Sequence, residues 1–206
     1  MRLSSLSRGR IVPQFLLSVL LFGLGCLPPP PAKTPFTYRP DLLPAAYFPL
    51  AENTVWSYRA KTPSGEGGEL LVVVKVAAKN GRVAIISTEP NPLSYEDTGD
   101  TILRLPSGTP ILKTPLTASA TWDIPDGTAK ILAVDGVAET PAGRFPDCLV
   151  VEEITHDRRL VTSYAPGVGQ VKQEIYARDA SGKGAPDQLE TRILLGSFHA
   201  GGSSEP

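Results

Sequence analysis

PAGRFPDCLVVEEITHDRRLVTSYAPGVGQVKQEI, residues 141–175, decides the fold class. Pro141-Ala142-Gly143 is a turn, because proline presets φ and glycine takes positive φ freely. Phe145 to Thr155 then reads as a strand with apolar residues on both faces. Cys148, Val150 and Ile154 lie on one face and Leu149 and Val151 on the other. Such a strand sits inside a sheet rather than at its edge. His156-Asp157-Arg158-Arg159 reverses the chain, and Leu160 to Ala165 returns. Pro166-Gly167-Val168-Gly169 reverses it again into Gln170 to Arg178. Three strands joined by turns this short form an antiparallel meander.

The same grammar extends outward. Val55 to Ala60 is a short strand, and Leu70 to Ala78 is a valine-rich one. Asn80-Gly81 reads as a two-residue hairpin turn into Arg82 to Thr88. Glu89 to Asp100 reads as an acidic loop. Its Glu96, Asp97 and Asp100 match no calcium-loop spacing, so it is taken as solvated. Thr101 to Leu105, Ile111 to Leu116, Ala120 to Ile124 and Thr128 to Asp135 follow, with a turn expected at Asp135-Gly136. Leu189 to Ser197 closes the series. No amphipathic helix of three turns is present; a short one in Leu42 to Phe48 is bracketed by proline. The expected domain is all-β, a curved antiparallel sheet or open barrel-like meander of about nine to eleven strands.

The spelling P-A-G-R-F-P-D-C followed by Y-A-P-G-V-G-Q-V-K-Q-E resembles a family of uncharacterised bacterial secreted and lipoprotein β-domains. Trp56-Ser57-Tyr58, Lys113-Thr114-Pro115-Leu116 and Trp122 extend the resemblance from about Tyr47 to about Arg178. It implies no activity. It implies a curved sheet similar to the lipoprotein carriers of the bacterial envelope.

The chain divides into four expected segments. Residues 1–25 carry Arg2, Arg8 and Arg10, then an apolar run too short to span a bilayer, which is the pattern of a secretory signal peptide. Gly23-Leu24-Gly25-Cys26 resembles a lipobox, so Cys26 is the expected lipidation site. The alternative is an ordinary signal peptide with Cys26 as an accidental neighbour. Residues 26–49 form a proline-rich linker, including Pro28 to Pro31, which favours extended polyproline II. Residues 50–198 form the all-β domain and 199–206 a disordered tail. Of the 20 basic residues three leave with the leader, so 17 stand against 21 acids. A mildly acidic body has no field for nucleic acid, and membrane attachment would come from lipid. Leu27, in place of a retention aspartate, points to the outer membrane or cell surface.

The chemistry is sparse. His156 and His199 are far apart in sequence, and Cys148 is the one cysteine beyond Cys26, so no zinc ligand set or cofactor site is expected. Cys148 reads as a buried small hydrophobe. A Cys26–Cys148 disulfide would need an oxidising compartment and an unlipidated Cys26. Glu152 and Glu153 point to opposite faces; the inward one either works in a site or sits at the rim. No nucleophile motif is present, so an enzyme is not expected. Gly143, Gly167 and Gly169 are structural turn residues. Trp56, Tyr58 and Trp122 are candidates for lining a ligand groove, or else core. The expected function is a non-enzymatic, lipid-anchored envelope protein that binds a hydrophobic ligand or lipid-linked partner on its curved sheet. The alternative is a structural or assembly accessory acting through a sheet edge or surface patch.

Overall fold

The computed structural model describes residues 42–63, 68–88, 91–179 and 186–202. The expected signal peptide, Cys26 and the polyproline run lie outside them. Turns rich in glycine, proline, asparagine and aspartate divide the chain into twelve strands. They are β1 (Val55–Lys61), β2 (Glu69–Asn80), β3 (Val83–Ser87), β4 (Leu93–Asp97), β5 (Thr101–Leu105) and β6 (Thr109–Lys113). There follow β7 (Thr121–Ile124), β8 (Gly127–Thr140), β9 (Gly143–Thr155), β10 (Arg158–Ala165), β11 (Gly169–Ala177) and β12 (Gln188–His199). A single helical turn, α1 (Pro44–Tyr47), precedes them.

The sheet is one continuous antiparallel meander, nearly closed into a barrel. Consecutive strands pair from β1 to β6 and from β7 to β12, and β12 returns to pair with β1. The ring therefore closes through the first and last strands and stays open between β6 and β7. Period-2 alternation sends one side chain of each pair into the lumen. Trp56 and Tyr58 of β1 face Val74 and Val72 of β2, and Leu149 and Val151 of β9 face Tyr164 and Thr162 of β10. These positions, with Ile86, Tyr95, Ile102, Ile131 and Leu195, make the core. The long β8–β9 hairpin runs past its neighbours, and its tip bonds elsewhere: Ala142 N–H donates to Leu195 C=O at 3.0 Å.

α1 closes one end of the lumen. Pro44 occupies its first turn, where a missing N–H costs nothing, and Phe48 N–H donates to Pro44 C=O at 3.0 Å. Ala46 C=O accepts the Gly167 N–H of the β10–β11 turn at 2.7 Å. Pro44, Tyr47 and Leu50 are buried, so Leu42 to Pro49 belongs to the folded domain and not to the linker. Proline content alone does not separate an extended stalk from a helix start.

Four other expectations move. Leu93–Asp97, read as part of an acidic loop, is β4; Tyr95 is its buried member. The β2–β3 turn is Gly81-Arg82, one residue later than expected. Asn80 pairs with Val83, and Gly81 alone has positive φ, +57°. Asp135-Gly136 is no turn but an irregular register step inside β8, where a Cβ on Gly136 would lie 2.5 Å from Val150. The closing strand runs to His199, and Gly201 N–H still bonds Thr54 Oγ1 at 3.2 Å. Residues 203–206 of the expected tail lie outside the described residues.

Candidate functional site

Strand number sets the space inside a barrel. Eight strands leave a lumen that side chains just fill; twelve leave more. Here the excess is taken up by large aromatics and by α1. Phe48 enters the lumen between Tyr95 and Tyr164, with ring centroids 5.0 and 6.2 Å away. A pocket of about 290 Å³ remains beside it. Its walls are Trp56, Tyr58, Val72, Val74, Leu93 and Ile193, together with Phe48, Tyr95 and Gln173.

The polar tips of the two β1 aromatics are tied off. Trp56 Nε1–H donates to Val168 C=O at 2.6 Å, and Tyr58 O–H donates to Gln170 C=O at 3.0 Å. Both bonds hold β1 to the start of β11, with β12 between the two strands in the sheet order. Burial raises the Tyr58 pKa, so its hydroxyl stays a donor. The rings thus present apolar faces to the pocket while their heteroatoms are satisfied.

Of the three aromatics singled out in the sequence, Trp56 and Tyr58 line this pocket and Trp122 does not. Trp122 lies on β7, beside the open seam, and its Nε1–H donates to Pro110 C=O of β6 at 3.2 Å. That side-chain bond spans the gap where no ladder runs. Gly143, Gly167 and Gly169 all have positive φ: +133°, +72° and +99°. Gly169 carries a second constraint. A Cβ there would lie 3.3 Å from Trp56 Nε1 and 3.4 Å from Pro49 Cδ. Phe48, Val72, Val74, Tyr95 and Ile193 escaped the sequence reading as pocket residues. The run Leu70 to Val74 is apolar at every position and so does not mark the two valines, and Tyr95 is hidden by its acidic neighbours.

The lumen is not uniformly apolar. On β9, Glu153 follows Leu149 and Val151 on the inward face and pairs across to Leu160 and Ala129. Burial pushes its pKa up, while the charge of Arg104 pulls it down. Arg104 pairs across from Tyr95, so it too faces inward, near the β5–β6 turn where it is exposed. Tyr164, wholly buried, has its pKa raised by burial and then by the Glu153 charge. Gln173 Nε2–H donates to Thr162 Oγ1 at 3.1 Å between the apolar and polar halves. Glu152, on the outer face, instead accepts from Arg159 Nε at 2.6 Å. Burial pushes the Cys148 thiol up to about 11, with Asp147 adding to the rise. Such a thiol is no nucleophile at neutral pH. No group of three metal-ligating side chains occurs among the described residues.

A larger cleft of about 430 Å³ lies against the outer side of β1 and β12, lined by Arg59, Lys61, Glu69, Pro141 and Arg192. Its charges are paired, within the cleft or just beyond it. Glu69 pairs with Arg59 and Lys61, and Arg192 pairs with Glu174 at 2.8 Å.

No known family profile matches the chain, and no curated protein matches it. Solved structures similar to it at low identity include the following two. One is a candidate lipoprotein of Parabacteroides distasonis, 13% identical, with a TM-score of 0.46 over 74% of this chain and 98% of that one. The other is a candidate exported protein of Bacteroides fragilis with a YmcC-like fold, 13% identical, with a TM-score of 0.45 over 75% of this chain and 99% of that one.

Proposed function

We propose that this protein is a non-enzymatic, lipid-anchored protein of the bacterial cell envelope that holds the apolar part of an amphiphile inside its barrel. The observation that carries the binding half is the pocket beside Phe48: apolar walls, satisfied polar tips and an edge at the exposed Leu93. Leu93 lies on the inward face of β4, across from the buried Ile86 of β3. The anchoring half rests on the leader and on Gly25-Cys26. Placement at the outer membrane or cell surface rests on Leu27.

The neutral fluorophore N-phenyl-1-naphthylamine tests the pocket without regard to head group. Saturable one-to-one uptake is expected, and Val74→Trp, which fills the pocket, should abolish it at unchanged melting temperature. No uptake, or equal uptake by the variant, refutes the reading. Mass spectrometry of protein from its native envelope should find diacylglycerol on Cys26, and Cys26→Ser should release the protein from membranes.

A second reading, as an assembly accessory, rests on the outer face. Leu71, Val73 and Ile85 are exposed there on adjacent strands, and the β6–β7 seam leaves two strand edges without a ladder.

A further inference from the structure

Glu153 and Arg104 face the lumen from opposite walls, Glu153 half-buried and Arg104 exposed near the β5–β6 turn, and a hydrophobic pair would serve the fold better. A carboxylate half-buried among Ala129, Val151 and Leu160 costs free energy unless something offsets it. The cation that faces the same space, Arg104, does not close on it as an ion pair within 4 Å. The ion pairs among the described residues lie elsewhere. Both groups point inward, by register with Tyr95 on one side and Leu160 on the other. Tyr95 is also a wall of the apolar pocket, so the charged half and the apolar half share one lumen.

We propose that Arg104 and Glu153 form the head-group subsite of this lumen and select a zwitterionic amphiphile, one whose polar end carries an anion and a cation together. Arg104 takes the anion, with its planar fork suited to phosphate or carboxylate. Glu153 takes the cation. The apolar chain lies along Val72, Val74 and Ile193. The proposal rests on the lumen being the binding site. It adds that the site discriminates by head-group charge. A net anion would meet Glu153 without compensation, a net cation would meet Arg104, and a neutral head would leave both charges unsatisfied. Burial disfavours the charged form of the Glu153 carboxyl, and a ligand ammonium beside it would offset that cost.

The test uses lysophospholipids that share one lauroyl chain, as monomers, measured by calorimetry on the full chain. Probes are the phosphoethanolamine (zwitterionic) and phosphoglycerol (anionic) heads, with dodecyltrimethylammonium as the cationic control. The zwitterion should bind the wild type at least about tenfold more tightly than either, the scale of one charge-assisted hydrogen bond. Glu153→Gln should erase the preference over the anion, and Arg104→Gln the preference over the cation. That crossed pattern is not what general destabilisation gives. Equal affinities for all three heads, with the neutral fluorophore still bound, overturn the subsite and leave the lumen reading standing. Loss of fluorophore binding in the wild type overturns both.

Discussion

Replacing Gly169 by alanine separates two reasons for a glycine at one turn. The neighbouring Gly167 provides the control. Both have positive φ, +72° at Gly167 and +99° at Gly169, where a Cβ costs about 1–2 kcal/mol. Alanine recovers about 0.4–1 kcal/mol of that through the unfolded chain. At Gly167 nothing lies within 4 Å of the added carbon, so the loss ends there. At Gly169 the carbon meets Trp56 Nε1 at 3.3 Å and Pro49 Cδ at 3.4 Å. The indole must then give way, and its 2.6 Å bond to Val168 C=O is the interaction at risk. A buried donor left unpaired costs about 1–3 kcal/mol more. Gly169→Ala should therefore lose about 2–4 kcal/mol and Gly167→Ala about 1 kcal/mol. For a domain of this size that is roughly 4–16 °C against roughly 2–4 °C in melting temperature. Thermal melts by far-UV circular dichroism read the difference. The indole N–H resonances of Trp56 and Trp122 show whether the bond moves, and only that of Trp56 should shift. Equal melting temperatures in the two variants, or an unmoved Trp56 resonance, would refute the packing argument.

Cys148 should react with maleimide at neutral pH far more slowly in the folded protein than in denaturant, because its thiol is buried and pushed up to about 11. Equal rates would show that β9 is not covered there. Glu153→Gln should raise the melting temperature at pH 8 and lose that advantage near pH 4. The carboxyl is raised above the ordinary 4.5 in the folded state, so its ionisation opposes folding once pH exceeds the raised value. A variant less stable than wild type at pH 8 would contradict this.

The architecture was legible because antiparallel meanders write themselves locally. The turns at Pro141-Ala142-Gly143 and Pro166-Gly167-Val168-Gly169 and the alternation in Val171, Gln173 and Ile175 each name a strand end or a face. β4 was not legible, because Leu93-Ser94-Tyr95-Glu96-Asp97 alternates with only two apolar inward positions amid acids. The pocket was half legible. An aromatic pair two residues apart on a strand must share a face, which placed Trp56 with Tyr58. Nothing local says that β7 sits across the ring, so the sequence alone does not separate Trp122 from them. Nor does local sequence say which of Glu152 and Glu153 faces the lumen. That depends on bulges and on the partners of β9, not on β9 itself.

The open seam follows from the same connectivity. A meander of consecutive hairpins closes most simply by joining its first and last strands, and here β12 does join β1. The break falls instead in mid-sequence, between β6 and β7, where Lys113 is followed by Thr114-Pro115 and a segment reaching to Ala120. Proline lacks the N–H that a ladder needs, and Pro110 repeats that defect within β6 itself. The seam therefore relies on side chains such as Trp122 rather than on backbone pairing. The ladder between β1 and β12 closes the ring on the other side, so the seam is the one gap in the pairing among the described strands.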